Sequence, residues 1–432
     1  MIEIIRNNEP ARFDAKLLAL KNRSVALNEA LTSEVAAIVR DVRTRGDAAL
    51  IDYAVRFDGC VMEPQELCVS NETLRRAAAN ANPEVVVALR EAIRRVRAFH
   101  EFERPSSWNM DTEDGIRLGQ RVSPIERVGM YVPGGTASYP SSVVMNIVPA
   151  QVAGVGRIIV TTPPRAIMES PAVAAALLEL GITEVYAVGG AQAIAALAYG
   201  TESIPRVDKI TGPGNKYVAA AKREVFGVVG IDSIAGPSEV VIIADDSARA
   251  SFVASDLLAQ AEHGEDAAAV LVTTSARLAA EVSAAITRQL ESLPRRALIE
   301  RSLAQFGAIF LVSDMNEACA LSNELAPEHL QILARAEDEI AADVRHAGAI
   351  FFGAQTPTAV GDYLAGPNHI LPTGGAARFS SALGVWDFMK RTSLLKFSSS
   401  ELRRAAPLIA TLARAEGLEA HARSALIRLE DK

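Results

Sequence analysis

The chain has few cysteines, few aromatic residues and no long apolar run. Its three cysteines, Cys60, Cys68 and Cys319, are widely spaced and form no CxxC motif, which argues against a disulfide scaffold and indicates a reducing, cytoplasmic setting. No apolar run reaches the roughly 18 residues that a membrane-spanning helix needs. The first residues also lack the apolar region of a signal peptide, so we expect a protein without a membrane partner.

Clusters of positive charge are also missing. The formal net charge is −8, and Lys and Arg are interspersed with Asp and Glu along the chain. Nucleic acids and anionic lipid surfaces are bound through clustered basic residues, so the charge pattern predicts neither kind of partner. A small cationic substrate is compatible with this pattern.

Apolar residues are abundant by contrast, at 49% of the chain, and their spacing changes along it. From about 33 to 102 the spacing is helical and amphipathic. From Val128 onward, short β-rich runs alternate with Ala-rich helices in two successive series. This alternation predicts an α/β fold with two parallel-sheet domains side by side. We expect helical extensions at the N-terminus and, after Trp386, at the C-terminus.

Two segments rich in Pro and Gly, Tyr131-Val-Pro-Gly-Gly and Ala235-Gly-Pro-Ser, mark the seams between these domains. Ligands favour the crevice at such a seam. The predicted division of the chain is an N-terminal arm over 1–25, a first α/β domain over 26–130 and 238–382, a second α/β domain over 131–237, and a helical C-terminal segment over 383–432.

The segment from Gly361 to His369 combines a carboxylate, a histidine and a constrained turn. Gly366-Pro367 joins a permissive backbone to a rigid one, which holds Asp362 and His369 in a definite relation. A polar turn with an incidental histidine explains the same residues. In isolation, the segment is as compatible with a structural turn as with a binding site.

Two further pairs carry groups suited to chemistry. Gln260 and His263 are three residues apart near the end of a predicted helix, so both lie on one face and could share a metal. A polar face with a histidine favoured by the helix dipole is the alternative. Glu328 and His329 precede an apolar run, where the glutamate could activate water and the histidine could exchange a proton near neutral pH. Two exposed polar residues at the start of an element would give the same pattern.

The remaining signals are weaker. Glu416 and His421 add a carboxylate and an imidazole on an amphipathic helix, where a solvated face explains them equally well. Two turns, Val188–Gln192 and Thr211–Asn215, each follow a predicted strand and open a helix, where backbone N–H groups favour a phosphate. Many βα turns share this pattern, and the chain has no strand-GxGxxG-helix fingerprint. The turns therefore permit a cofactor without requiring one.

Seven segments, taken together in their order and spacing, resemble the histidinol dehydrogenase family. They are Tyr131-Val-Pro-Gly-Gly, Ala235-Gly-Pro-Ser-Glu, Ala259-Gln-Ala-Glu-His, Ala326-Pro-Glu-His-Leu, Gly361-Asp-Tyr-Leu-Ala-Gly-Pro-Asn-His, Leu371-Pro-Thr-Gly-Gly and Glu416-Gly-Leu-Glu-Ala-His. The resemblance spans nearly the whole chain, and seven blocks are far more specific than any one alone. It implies NAD-dependent oxidation of L-histidinol through L-histidinaldehyde to L-histidine, the last steps of histidine biosynthesis, on incomplete Rossmann-like domains.

The resemblance also implies cofactors and the residues that bind them. One Zn²⁺ per subunit would be bound by Gln260, His263, Asp362 and His421. The substrate would contact these four residues together with Ser238, His329, His369 and Glu416. NAD⁺ would contact Tyr131, Gln192 and Asn215 in the second domain.

Roles in the reaction follow from the same resemblance. His329 would take the alcohol proton, and Glu328 would activate the water that adds to the aldehyde. The family forms a homodimer with shared active sites, so the C-terminal segment would reach the partner subunit. Glu416 and His421 would then complete the site of the other chain.

One departure and two alternatives accompany this reading. Where many relatives have cysteines, this chain has Leu118, Val155 and Thr161, so we expect no covalent cysteine adduct. A related zinc- and NAD-dependent enzyme could instead oxidise another small polyol, and turnover of simple diols would reveal it. A non-catalytic metal-binding protein would require that the Glu328–His329 pair be incidental, and would form no NADH with any alcohol.

Overall fold

The computed structural model describes residues 2–23, 29–134, 139–234 and 236–430. Ala235, in the second predicted seam, lies outside the described residues, as does part of the predicted arm over 1–25. The chain forms two compact units, which we call the first and the second unit. The first comprises Met1–Glu103 and Glu126–Phe388, and the second comprises Arg104–Ile125 and Met389–Lys432.

Strands and helices alternate through most of the first unit, as the apolar spacing predicts. The strands are β1 (Glu3–Arg6), β2 (Trp108–Asp111), β3 (Arg117–Pro124), β4 (Arg127–Tyr131), β5 (Arg157–Thr162), β6 (Val185–Ala187), β7 (Lys209–Thr211), β8 (Gly230–Ile231), β9 (Glu239–Ala244), β10 (Ala268–Thr273), β11 (Gly307–Leu311), β12 (His329–Leu333), β13 (Ala349–Phe352) and β14 (Met389–Lys396). The helices are α1 (Pro10–Lys21), α2 (Glu29–Arg45), α3 (Asp47–Tyr53), α4 (Asn71–Ala78), α5 (Pro83–Glu103), α6 (Pro140–Ala153), α7 (Ala166–Glu169), α8 (Pro171–Glu179), α9 (Gly190–Tyr199), α10 (Lys216–Val225), α11 (Ala250–Ala261), α12 (Ala276–Leu290), α13 (Arg296–Phe306), α14 (Met315–Leu325), α15 (Glu337–Asp343), α16 (Thr358–Tyr363), α17 (Ser399–Ala415) and α18 (Glu419–Leu426).

Six of the described strands form one parallel sheet in the order β1-β11-β10-β9-β12-β13. Every residue of β9 and β10 is buried, because helices cover both faces of the sheet. One core contains Val253 and Leu271, and the other contains Phe310 and Leu330. The register pairs His329 with Val240, so the start of β12 lies beside the start of β9.

Five further described strands form a second parallel sheet in the order β6-β5-β4-β7-β8. Side chains of α2, α9 and β7, including Val35, Leu197 and Ile210, share one core beside it. The strand order reverses at β4, which pairs with both β5 and β7. A crevice forms at the carboxyl ends of the strands at such a switch point, here beside Tyr131 and Thr211.

The second unit corrects one expectation. We expected helix throughout the chain after Trp386, but Met389–Lys396 is a strand that pairs antiparallel with β3, which also pairs with β2. Seven of the eight residues of β14 are exposed, so the strand has no buried apolar face to show in the sequence. The helical prediction is confirmed for α17 and α18, which contact each other.

Most predicted elements are confirmed. The β-rich runs predicted in two series after Val128 are present, among them β5, β6 and β7 in the first series and β9, β10, β11 and β13 in the second. The predicted helices between them are also present, for example α12 and α14. Strand β1 was not expected, because it is four residues long and pairs with the distant β11. The domain boundaries stay a prediction. No described helix has both the length and the apolar character that crossing a membrane requires.

Candidate active site

A cavity of about 350 Å³ lies in the first unit between opposite edges of the two parallel sheets. From the six-stranded sheet, the lining includes Ser238, Glu328 and His329, at the amino ends of β9 and β12. From the five-stranded sheet, it includes Gly212–Gly214, after the carboxyl end of β7. The cavity therefore combines side chains from one sheet with a glycine-rich backbone turn from the other.

Glu328 is buried, with 7% of its surface exposed, and its carboxylate is held at one oxygen. Oε2 accepts a hydrogen bond from Ser238 Oγ at 2.5 Å and another from Glu239 N at 3.0 Å. The chain reaches this position through Ala326, whose φ of 49° is the only positive value among the described residues other than glycine. Ala326 ends α14 with a hydrogen bond from its N–H to Ser322 O. This left-handed residue turns the chain from α14 into the strand that carries the acid-base pair.

His329 is oriented by a backbone carbonyl. Its Nδ1 lies 3.1 Å from Glu239 O and 3.5 Å from Glu328 Oε2, while Nε2 lies 3.8 Å from Asp362 Oδ1. A carbonyl oxygen only accepts hydrogen bonds, so Nδ1 carries the proton that it shares with Glu239. In the neutral ring, Nε2 then has the lone pair and faces Asp362.

The same arrangement recurs at two more imidazoles. His263 Nδ1 lies 3.1 Å from Ala259 O, and His369 Nδ1 lies 2.8 Å from Asp362 O. Each of these carbonyls assigns the proton to Nδ1 and leaves Nε2 as an acceptor or a metal ligand. Three histidines that line one cavity thus carry the proton on the same ring nitrogen, and at His369 the other nitrogen accepts from Ser142 Oγ at 3.4 Å.

The segment from Gly361 to His369 folds back on itself at the predicted turn. Gly366 has a φ of 115°, and a Cβ atom there would come within 3.2 Å of Arg95 O, so both the turn and the close packing require glycine. Asn368 Nδ2 donates to Met145 O at 2.6 Å and anchors the far side of the turn. Burial lowers the pKa of His369, which keeps the ring neutral beside the carbonyl of Asp362.

Gln260 joins the acid-base pair through a short chain of hydrogen bonds. It lies at the end of α11 and is buried, with 2% of its surface exposed. Its Nε2 donates to Ser238 Oγ at 2.8 Å, and the same hydroxyl donates to Glu328. The amide oxygen of Gln260 takes no part in these hydrogen bonds and can still act as an acceptor or a metal ligand.

The three residues predicted to contact NAD⁺ lie around the switch point of the five-stranded sheet. Tyr131 ends β4, and its hydroxyl accepts a hydrogen bond from Gly190 N at 3.2 Å. Gln192 is buried in the first turn of α9, and Asn215 caps α10 by accepting from the N–H groups of its second and third residues. None of the three is among the described residues that line the cavity, although the neighbouring Pro133 and Gly214 are.

Comparisons with known proteins identify the family of the chain. The family model for histidinol dehydrogenase matches residues 21–429. The chain belongs to the histidinol dehydrogenase family. It is 53% identical to a histidinol dehydrogenase of Geobacillus kaustophilus over 91% of this chain and 92% of that one. It is 51% identical to one of Chromobacterium violaceum over 97% of both chains.

A solved structure extends the agreement to the fold. The crystal structure of histidinol dehydrogenase from Elizabethkingia anophelis superimposes with a TM-score of 0.92, at 34% identity, over 99% of this chain and 98% of that one. The predicted family, the α/β fold class, the oxidoreductase class and the histidinol dehydrogenase function are thereby confirmed.

Three of the four predicted zinc ligands, Gln260, His263 and Asp362, lie in the first unit of this family member. His263 and Asp362 line the cavity, and Gln260 adjoins it through Ser238. Nitrogen and oxygen donors of this kind suit Zn²⁺, and also Mn²⁺ or Co²⁺. No group of three or more His, Cys, Asp or Glu side chains within the described ranges is arranged to hold a metal. The donor chemistry fits a metal, provided that a further ligand joins the set.

The two predicted site residues near the C-terminus, Glu416 and His421, lie in the second unit. Glu416 ends α17 and His421 lies in the first turn of α18, and both are exposed. Neither side chain is part of the buried core of the second unit. Their exposure leaves both groups available to a ligand or to another chain.

Sequence reasoning missed the acid beside the Glu328–His329 pair. Glu239 is buried, contacts the Arg23 guanidinium and accepts a hydrogen bond from Gly374 N. Burial raises the pKa of Glu239 to about 7, against the opposing effect of Arg23. Glu239 follows Ser238 at the end of the Ala235 segment, and its residue type alone does not indicate burial. The partner Arg23 lies too far away in sequence to be paired with it.

Proposed function

We propose that this chain oxidises L-histidinol, through L-histidinaldehyde, to L-histidine with two molecules of NAD⁺. The observation that carries the proposal is the buried pair of Glu328 and His329 on one cavity wall, with Asp362 and His263 on the same cavity. The pair supplies two different proton acceptors, and the four-electron oxidation needs a base for the alcohol and another for water.

His329 acts first in this proposal, as the base at Nε2. Its Nδ1 is committed to Glu239 O at 3.1 Å, so the alcohol proton can be accepted only at Nε2. Burial excludes bulk water from the ring and keeps it in one orientation. The same nitrogen can later return or accept a proton as the aldehyde is oxidised.

Glu328 acts in the second half, as the base that activates water. Its Oε2 is occupied by Ser238 Oγ and Glu239 N, which leaves Oε1 to accept a proton from a water molecule. The two fixed hydrogen bonds hold the carboxylate in place while the aldehyde stays bound. Retaining a reactive aldehyde in an enclosed site prevents its loss.

Gln260, His263 and Asp362 would hold Zn²⁺, with His421 as the fourth ligand. Zinc, when bound, would serve as a template that orients the substrate. Ser238, His369 and Glu416 would contact the substrate beside it. Support comes from the free Nε2 of His263 and from the carbonyl of Asp362, which orients His369 at 2.8 Å.

Tyr131, Gln192 and Asn215 would contact NAD⁺, which would accept a hydride in each oxidation step. They lie at the carboxyl edge of the five-stranded sheet, where helices α9 and α10 begin. The three cysteines are free thiols, which supports the cytoplasmic location that we also propose.

We further propose a homodimer in which Glu416 and His421 complete the site of the partner chain. The second unit supports this, because Leu408 and Leu412 on α17 are 69% and 67% exposed. Mixing inactive Glu328→Gln and His421→Ala chains tests it. Shared sites would restore activity in mixed dimers, since one of the two centres would then have all its residues. Mixed dimers that form and stay inactive would contradict sharing.

The proposed reaction is tested by following NADH on addition of L-histidinol to metal-stripped protein, with Zn²⁺, Mn²⁺ or Co²⁺ restored in turn. We expect two NADH per histidinol once metal is restored, and little with simple diols. Glu324→Gln is the matched control for the inactive Glu328→Gln variant, because Glu324 is exposed and precedes Glu328 by four residues. Turnover of diols in preference to histidinol would support another polyol as substrate, and no NADH with any alcohol would contradict the enzyme function.

A further inference from the structure

A buried ion pair lies at the edge of the cavity and has no part in the chemistry described above. Lys222 Nζ lies 2.5 Å from Asp232 Oδ1, and each side chain has only 4% of its surface exposed. Lys222 lies on α10, and Asp232 follows β8. Both residues line the cavity. Isolated buried charges are costly, and each charge of this pair is offset by the other and by further hydrogen bonds.

The pair holds both polar groups of one residue, Gly212. Lys222 Nζ donates to Gly212 O at 2.6 Å, while Gly212 N donates to Asp232 Oδ2 at 2.8 Å. The Lys222 ammonium and the Asp232 carboxylate thus hydrogen-bond to adjoining peptide groups of the turn that follows β7. Hydrogen bonds to charged groups are stronger than neutral ones, so this turn is held more firmly than its own backbone would hold it.

The Gly212 turn packs directly on Tyr131, which is one of the predicted NAD⁺ contacts. Gly212 has a φ of 113°, and a Cβ atom there would lie 2.1 Å from Tyr131 O. The Tyr131 hydroxyl in turn accepts from Gly190 N, at the turn that opens α9. Tyr131 therefore contacts both turns, through its carbonyl at Gly212 and its hydroxyl at Gly190.

We propose that Lys222 and Asp232 are positioning residues for NAD⁺: they hold the Gly212 turn against Tyr131 and thereby set the affinity for the dinucleotide. The inference rests on the proposed function, because it takes the two turns as the NAD⁺ site. Neither residue needs to touch the cofactor for this role. The affinity for L-histidinol depends on the opposite wall of the cavity and is independent of the pair.

The test compares Lys222→Met with Lys209→Met in the metal-loaded protein. Lys209 is a matched control, because it lies at the other end of β7 and also bonds to a backbone carbonyl and a carboxylate, those of Asp387. NAD⁺ binding is measured by titration calorimetry, and the KM values of NAD⁺ and L-histidinol are measured separately. Asp232→Asn, which preserves side-chain volume, is the second variant if Lys222→Met does not fold.

We expect Lys222→Met or Asp232→Asn to weaken NAD⁺ binding about tenfold or more and to leave the KM of L-histidinol within about twofold. Lys209→Met should keep the affinity for NAD⁺ even if its melting temperature falls. A folded Lys222→Met or Asp232→Asn protein with the original NAD⁺ affinity would overturn the inference, as would equal losses for both substrates. Failure of the proposed function is distinguishable, because the unmodified protein would then bind no NAD⁺.

Discussion

The two parallel sheets face the cavity with opposite ends and with different chemistry. The five-stranded sheet presents its carboxyl edge, where Gly212–Gly214 follow β7 at the switch point. The six-stranded sheet presents its amino edge, where Glu328 and His329 lie at the start of β12. The first edge offers backbone groups and a glycine turn, and the second offers ionisable side chains.

Only the five-stranded sheet has the cavity at the carboxyl ends of its strands, where α/β sheets usually bind ligands. Ligands of open α/β sheets bind at the carboxyl ends of strands, because the turns there can open onto a crevice. The amino ends of β9 and β12 serve instead as a rigid support, because the register of these two strands places His329 beside Val240. A dinucleotide can be recognised by backbone groups, whereas proton transfer requires side chains with fixed orientation.

The contrast is tested most strongly by Glu328→Gln at the amino edge of the six-stranded sheet. Removing the proposed base should lower kcat for histidine formation by roughly 10²- to 10⁴-fold, the range for general acid-base catalysis. NAD⁺ affinity, measured by calorimetry, should stay nearly constant, because the proposed NAD⁺ contacts belong to the other sheet. A parallel loss of NAD⁺ affinity would show that the two edges do not act separately.

The next largest effect concerns pH and Glu239, which belongs to the same amino edge. Burial raises its pKa from 4.5 to about 7, so the folded chain keeps a proton that the unfolded chain releases. The resulting stabilisation is fully present below pH 4.5 and is lost as pH rises through about 7. It amounts to about 3 kcal/mol.

Urea unfolding at pH 5 and pH 8 measures this dependence. Glu239→Gln cannot ionise and should lose about 2.5 kcal/mol less between these pH values than the unmodified chain does. The comparison uses the difference between the two proteins, so titrating groups that do not interact with Glu239 cancel. Equal pH slopes for both proteins would mean that Glu239 does not hold a proton near neutral pH.

A smaller effect is expected at the carboxyl edge of the five-stranded sheet. Gly212→Ala should cost at least about 2 kcal/mol more in unfolding free energy than Gly227→Ala, because overpacking against a backbone atom adds to the conformational strain. Both glycines have a strongly positive φ, 113° and 98°, but a Cβ atom at Gly227 meets nothing within 4 Å. Equal losses in chemical unfolding would leave no role for the contact with Tyr131.

The smallest effect concerns the hydroxyl that supports Glu328. Ser238→Ala removes the hydrogen bond to Oε2 and leaves only that from Glu239 N, so we expect kcat to fall about tenfold. Ser233→Ala is the control, because Ser233 lines the same cavity. Steady-state assays should show less than about a twofold change for the control. A Ser238→Ala enzyme with full kcat would show that one fixed hydrogen bond is enough.

Sequence patterns predicted the layers of this fold well, and for a physical reason. Strands of a buried parallel sheet are short continuous apolar runs, and α12 and α14 show a clear helical period, so each signal is local. The exposed strand β14 carries no such period and was missed. It forms because a distant strand, β3, supplies its hydrogen bonds.

By itself, the sequence determined which residue types were available for chemistry: the Glu328–His329 pair, the Asp362–His369 turn and the two glycine turns. Their assembly was decided by tertiary structure, because strand register and crossovers join residues far apart in the chain. The same holds for Glu239 and Arg23, and for Lys222 and Asp232 around Gly212. A buried charge is identified by what surrounds it, and those surroundings exist only after folding.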